Sequence, residues 1–234
     1  MMMISSESVI RAINKTSFNP AEREYIHYHA ERIAETLKLL ASLVGEQKTR
    51  LLDISPHILT SAIHQFLGDR MRISTLGWMN RRVVPVDALE EHVEWDLNNE
   101  LPDNSFKNGA FDLILMGEVI EHLHTAPSIV LRGLRRCLKD GGLFVIQTPN
   151  AVAVTKRLAM LRGINPFEMI RENNRDPGHF REYTVTELKN LAAGVGLKVE
   201  VVKFMNYWKS PGVRGLVESV FPSLRNGLTV VFRS

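Results

Sequence analysis

Residues 111–150 read FDLILMGEVIEHLHTAPSIVLRGLRRCLKDGGLFVIQTPN, and this stretch decides the fold. Residues 111–116 are apolar with almost no alternation, as in a parallel strand covered by helices on both faces. The run breaks at Gly117 into Glu118, Glu121 and His122, so charged side chains collect where a buried strand ends. In open α/β sheets that carboxyl edge is where ligands bind. Asp140-Gly141-Gly142 then turns the chain into a second apolar run, residues 143–147, which ends at Thr148-Pro149-Asn150. Between the two runs, residues 126–139 read as a helix with Val130, Leu134, Cys137 and Leu138 on one face. Thr125 is its expected N-cap, and Pro127 is tolerated in the first turn.

The same alternation extends outward. Residues 50–55 read as a first strand, 58–67 as its helix, 71–76 as a second strand and 92–96 as a third. Asn19-Pro20 opens a helical segment over residues 21–43, with Tyr25, His29, Ile33, Leu37 and Leu40 at helical spacing. Thr184-x-x-Glu187 is a capping-box signature before Leu188 and Leu191, and residues 198–204 and 228–232 read as closing strands. The expected architecture is a doubly wound, mostly parallel α/β sheet over residues 50–234, preceded by a helical segment over residues 1–49. An irregular insertion occupies residues 149–175. Within it, residues 152–161 are apolar with Lys156 and Arg157 interleaved and Arg162 just beyond. A lid or substrate wall, a contact with a lipid-linked substrate at a membrane surface, and an ordinary packed helix all fit that pattern.

Composition narrows the classes. Hydrophobic content of 44% with 24% charged residues is that of a soluble globular protein. A net charge of +3 is spread along the chain. Arg81-Arg82 and Arg135-Arg136 are the adjacent arginine pairs, and solvated helix faces account for them better than a nucleic-acid footprint. Cys137 is the single cysteine, so an intrachain disulfide is excluded; its helical position fits a core face. No run approaches the roughly 18 apolar residues of a membrane span. The N-terminal residues lack a basic leader before an apolar stretch, so a cytoplasmic location is expected.

The 111–150 block resembles the fourth strand, following helix and fifth strand of the Rossmann-like, class I S-adenosylmethionine (SAM) methyltransferases. The likeness continues at His179-Phe180-Arg181-Glu182-Tyr183-Thr184, Glu187-Leu188 and Gly194-Val195-Gly196-Leu197, and covers roughly residues 50–234. It implies an antiparallel closing strand pair and SAM as the cofactor. It also implies an N-terminal helix over the cofactor pocket, within reach of Tyr25 or Arg32. From the residues alone, Tyr25 is expected in the core and Arg32 in a surface ion pair. The family's first strand normally ends in D-x-G-x-G, whose glycines let the backbone approach the cofactor. Here the stretch is Asp53-Ile54-Ser55-Pro56-His57: the acid stays, both glycines are replaced, and Pro56 and His57 are expected to crowd the amino-acid end of SAM. The acid that usually holds the ribose at the end of the second strand is missing from Ile73-Ser74-Thr75-Leu76-Gly77. Asp96 matches the acid that contacts adenine, although a turn cap before Asn98-Asn99 also explains it. The resemblance thus assigns cofactor binding to Asp53, Ile54, Ser55, Asp96, Leu97, Met116 and Gly117.

Glu118, Glu121 and His122 stand at i, i+3 and i+4, and are expected on one face of a helical turn. With His179 they resemble the E-x-x-E-H plus distant histidine of small-RNA 3′-end 2′-O-methyltransferases and ubiquinone-pathway O-methyltransferases. That likeness implies a divalent metal at Glu118, Glu121, His122 and His179, lowering the pKa of an acceptor hydroxyl. It also makes His122, His179 and Glu118 the candidate catalytic residues. Acids in a first helical turn gain from the dipole without any metal, and His122 alone suits a general base or a buried structural histidine. The reading that follows is a SAM-dependent methyltransferase acting on an oxygen of a small-molecule or sugar-type acceptor. The alternative is a catalytically impaired methyltransferase-fold binding protein, which the altered Asp53–His57 stretch favours. RNA methylation ranks third.

Overall fold

The apolar runs become strands. β1 is Thr49–Ile54, β2 Met71–Leu76, β3 Leu89–Val93, β4 Phe111–Gly117, β5 Leu138–Pro149, β6 Lys198–Met205 and β7 Gly227–Arg233. They form one seven-stranded sheet of order β3-β2-β1-β4-β5-β7-β6. Strands β1 to β5 pair in parallel, and β7 runs antiparallel to both β5 and β6. The structure is a computed structural model that describes every residue except 1–3, 14–17, 46, 81–82, 174–176, 208–209 and 211, together with the side chain of Ile13. The Arg81-Arg82 pair and the last two residues of the 149–175 insertion therefore lie outside the described residues.

Side chains alternate across the sheet, which explains why the central strands read as continuous apolar runs. Leu52, Ile54, Ile114, Met116, Phe144 and Ile146 point into one buried cluster, completed by helices α4 (Pro127–Cys137) and α6 (Val185–Ala193). Leu51, Leu113, Leu115 and Val145 point into the other, completed by α2 (Pro20–Leu43) and α3 (Ile58–Leu67). A side chain of this size contributes about 1.5–3 kcal/mol when fully buried. The two clusters thus carry the fold. The N-terminal helices, α1 (Ser6–Ile13) and α2, are part of this packing: Ile26, Ile33, Leu37 and Leu40 lie against the sheet. Asn19 starts α2 with a reciprocal capping box to Glu22, and Thr184 starts α6 in the same way with Glu187. Cys137 is buried on the core face of α4.

Three local expectations change. The third strand is Leu89–Val93 rather than residues 92–96, because Thr75 on β2 takes His92 as its partner at 2.8 Å and fixes an earlier register. Helix α4 is capped at Ala126 with no side-chain cap; Asn98 Oδ1 accepts from the backbone of His124 and Thr125 and replaces the expected Thr125 cap. The first strand ends at Ile54, one residue before Ser55, which turns left-handed at φ 61.

That turn is held from both sides. The Thr60 hydroxyl donates to Asp53 Oδ2 at 2.7 Å and accepts from His57 N at 2.9 Å, so one side chain joins strand, turn and helix. Opposite, Ser55 N donates to Leu76 O at 2.7 Å. Gly77, at φ 124, lies so close that a Cβ there would be 3.2 Å from Ser55 Cα. Burial raises the Asp53 carboxyl to about 7, against the opposing pull of its Thr60 bond.

Two predictions rest on this turn. Gly77→Ala combines a left-handed backbone with contact against Ser55 and should cost about 1–3 kcal/mol, roughly 3–10 °C in thermal midpoint for a domain of this size; calorimetry checks it. Folded Asp53 keeps its proton to higher pH than unfolded Asp53, so it makes stability fall as pH rises from about 4 to about 7. Asp53→Asn should flatten that slope in urea unfolding measured across the same range.

Candidate active site

The sheet order reverses between β1 and β4: β2 and β3 follow on one side, β5 on the other. At such a switch point the following loops part and leave a crevice at the carboxyl edge. A cavity of about 460 Å³ lies there, within the range of small-molecule sites. Its floor is Asp53, Ile54 and Ser55 after β1 and Gly117 and Glu118 after β4; Trp78 and Asn80 line the side below β2. Tyr25 and Arg32 of α2 form the facing wall. A larger cleft of about 890 Å³ lies at the opposite edge of the sheet, where Lys139 pairs with Asp112, Arg50 and Arg72 with Glu90, and Arg233 with Glu200. The smaller cavity is the one at the switch point, where open α/β sheets bind ligands.

Arg32 is buried rather than surface-paired, with only 3% of its area exposed. Its Nη2 donates to Tyr25 Oη at 2.7 Å and its Nη1 to Gln147 Oε1 at 3.3 Å, while its Nε is buried without a partner. Burial works against its charge, but Glu118, Tyr25 and Tyr207 outweigh that and raise its pKa, so the guanidinium stays charged. Glu118 sits at φ 58, ahead of the short 3-10 turn Ile120–His122. Its carboxylate accepts from Tyr207 Oη at 2.5 Å. Burial pushes the Glu118 carboxyl up and Arg32 pulls it down. The predicted common helical face of Glu118, Glu121 and His122 therefore does not form, because the left-handed backbone at Glu118 turns its side chain toward Tyr207 instead.

Glu121, His122 and His179 do come together. Their ligand atoms all lie within 4.8 Å of one another. The segment carrying His179 is folded back by backbone bonds from Phe180 N and Arg181 N to the Glu121 carbonyl, at 2.8 and 3.3 Å. His122 Nδ1 meets Gly178 O at 2.9 Å, so Nδ1 carries the proton and Nε2 the lone pair. The His122 and His179 rings stand edge to face with centroids 4.9 Å apart. His179 Nδ1 pairs with Glu182 Oε1 at 3.3 Å, and burial followed by His122 lowers its pKa. Glu121 Oε2 accepts from Thr148 Oγ1 at 2.8 Å, and its Oε1 is buried without a partner. Burial, followed by the nearby Glu118 charge, pushes the Glu121 carboxyl well up. Lys156 of α5 (Val154–Leu161) pairs with Glu182, and burial lowers its pKa to about 8 against the pull of Glu121 and Glu118.

The remaining predicted residues are placed as follows. Met116 is fully buried under the cavity floor. Asp96 and Leu97 follow β3 in a turn, where Asp96 Oδ1 accepts from the Asn98 backbone at 2.9 Å and side chain at 3.0 Å; neither lines the cavity. Pro56 and His57 both line this cavity, and the His57 ring stands 5.5 Å from that of Tyr25. Gln147, Thr148, Lys156, Glu182 and Tyr207 were not singled out as site residues. The polar Gln147-Thr148 that ends an otherwise apolar strand signals two of them; Glu182 lies within the motif at residues 179–184, and Lys156 within the apolar stretch at residues 152–161.

A methyltransferase-domain family model matches residues 25–202. No protein of curated function matches the chain. Among solved structures, a SAM-dependent methyltransferase from Archaeoglobus fulgidus is 14% identical with a TM-score of 0.57, covering 86% of this chain and 92% of its own. A Thermotoga maritima SAM-dependent methyltransferase, described as a possible histamine N-methyltransferase, is 15% identical with a TM-score of 0.58, over 98% and 99%. A structure of the Haloferax volcanii Trm112 methyltransferase activator with its methyltransferase gives 15% and 0.59, over 100% and 99%. At these identities the solved structures establish the fold, and the family model, spanning most of the chain, establishes the relationship. The chain belongs to the class I SAM-dependent methyltransferases.

Proposed function

We propose that the protein methylates an oxygen of a small-molecule or sugar-type acceptor, with SAM in the cavity between Asp53 and Glu118 and the acceptor beside Glu121, His122 and His179. The observation that carries this reading is the direct continuation of cavity floor into cluster. Gly117 and Glu118 line the cavity, and Glu121 and His122 follow within one turn, joined there by His179. Bound SAM supplies an electrophilic methyl group, so the protein is left to align the acceptor oxygen and remove its proton. Ser55 keeps the left-handed backbone that a glycine would adopt, and the turn remains open to a ligand. Arg32, a buried cation with an unpartnered Nε, is the residue we assign to the carboxylate of the amino-acid end.

The proton falls to His122 in this reading. Its Nδ1 is committed to Gly178, so Nε2 is the accepting nitrogen. Glu182 fixes His179 in the same manner. Two imidazoles oriented through their other nitrogen, together with the unpartnered Glu121 Oε1, also suit a divalent cation of intermediate hardness such as Mn, Fe or Zn. Such an ion would lower the pKa of the acceptor hydroxyl. Glu121, His122 and His179 are the ligands we assign to it, and His122 Nε2, once bound to the ion, no longer serves as the proton acceptor. Glu118 is left out, since its carboxylate is held by Tyr207.

Calorimetry with SAM and its demethylated product tests the cofactor assignment; failure of both to bind at millimolar concentration would favour the non-catalytic binding protein. Arg32→Gln should weaken SAM binding roughly 10–100-fold, the loss of one charge-assisted hydrogen bond, with circular dichroism confirming the fold. His179→Ala should abolish methyl transfer in a screen of hydroxylated acceptors and leave SAM affinity unchanged. Titration with Mn or Zn should show one site in the wild type that is lost in His179→Ala; an unchanged isotherm would remove the metal and leave the base.

A further inference from the structure

We infer that Glu118 holds the ammonium of the cofactor's amino-acid end and that Tyr207 is the residue that positions it there. The inference rests on the SAM assignment above and extends it to the second charge of the same group. An amino-acid end carries a carboxylate and an ammonium on one carbon. A site that fixes both needs a cation and an anion close together, each still open to a ligand. Arg32 and Glu118 meet that description. Both line the cavity. Burial opposes the charge on each, and each offsets that cost for the other. Their hydrogen bonds nevertheless go elsewhere, those of Arg32 to Tyr25 and Gln147 and that of Glu118 to Tyr207. Arg32 Nε is buried without a partner. Tyr207 engages Glu118 Oε1, which leaves Oε2 to the ligand, and Glu118 is only half-buried.

Tyr207 is built for this placement. It follows β6, 89 residues beyond Glu118, and is buried. Its backbone N donates to Asn226 Oδ1 at 2.9 Å, and the Arg32 guanidinium lies over its ring, 5.5 Å from the centroid. The ring rests against β7 at Gly227, where a Cβ would fall 2.1 Å from Tyr207 Cε1. Only a glycine at that position admits the ring where it stands. The hydroxyl then donates to Glu118 at 2.5 Å. Glu118 needs such a hold, because its backbone is left-handed at φ 58 and a side chain there is strained unless its surroundings fix it. A donor to the carboxylate also favours its charged form, the form an ammonium requires. Tyr207 itself does not line the cavity, so it acts through Glu118. The consequence is selectivity: the site should separate adenosine ligands that carry an amino-acid end from those that lack one.

The test is calorimetry on the full chain with two probes: S-adenosylhomocysteine, which carries the amino-acid end, and 5′-methylthioadenosine, which lacks it. The wild type should bind the first at least about tenfold more tightly. Glu118→Gln, which keeps the shape and still accepts from Tyr207, should weaken S-adenosylhomocysteine roughly 10–100-fold. Tyr207→Phe should weaken it roughly 3–10-fold. Both variants should bind 5′-methylthioadenosine like the wild type. The double variant should be no weaker than Glu118→Gln, because Tyr207 acts through that carboxylate. This contrast is one a merely structural role would not give, since a distorted cavity loses both probes together. Equal loss of both probes in the variants would overturn the proposal. So would either variant binding S-adenosylhomocysteine like the wild type, or a wild type with no preference between the probes. In each of those outcomes the wild type still binds S-adenosylhomocysteine and the cofactor assignment stands. A wild type that binds neither probe would overturn that assignment and this proposal with it.

Discussion

The parallel pairing of β1 with β4 is the constraint on which the rest of the molecule depends. No short connection can join two parallel neighbours, so the chain must leave β1, build β2 and β3 on one side, and return to start β4 on the other. The pairing sets Leu51 to Ile54 against Leu113 to Met116, and these residues feed both buried clusters. It also brings the two following turns together at the sheet edge. Ser55 and Glu118, the first residues beyond the paired register or one past it, are the non-glycine residues with positive φ among those described. Each such residue costs of order 1–3 kcal/mol unless its surroundings over-determine it. Here the surroundings are the buried sheet itself, which holds the strained turns in place around the cavity.

That edge also concentrates buried charge. Glu121 and Arg32 are withdrawn from water within the same region, and Glu118 and Lys156 are partly so. Charges taken out of water must be paired or must change protonation. Glu118 is balanced by Arg32 and Tyr207; Glu182 is balanced by Lys156 and His179. Glu121 has Thr148 and little else, which is why its carboxyl is driven furthest toward the neutral form. A cation between it and the histidines would stabilise the charged form that burial disfavours. One carboxyl thus connects the two chemical readings of the site.

Much of the architecture was legible in the chain because it depends on local pattern. The apolar runs at residues 51–54, 113–116 and 143–147, the helical spacing in α2 and α4, and the capping box at Thr184 each follow from short-range physics. The approach of His179 to His122 was legible only through the motif, since 57 positions separate them and the closing contact is made by backbone at Glu121. Arg32 shows where such reading ends. An arginine on a long helix reads as a surface ion pair until the helix is packed on a sheet that offers Gln147, 115 residues away, and a Tyr25 hydroxyl one face along. The β3 register failed for a related reason: the Thr75–His92 bond that fixes it is cross-strand, and neither sequence segment encodes it alone.

The altered glycine motif illustrates how a constraint can be met from the other side. A glycine-rich turn serves two needs, a left-handed backbone and room for close approach. Ser55 meets the first by accepting the strain at φ 61. Across the crevice the missing Cβ of Gly77 admits the Ser55 backbone at the end of β2, which lets that turn sit where it does. An acid at that position would have brought a Cβ into the same space. Nothing in that exchange closes the cavity, so the departure from the family pattern is compatible with a working cofactor turn. What it removes is an acidic partner for ribose, and the polar groups left at that wall are Asn80 and the indole of Trp78.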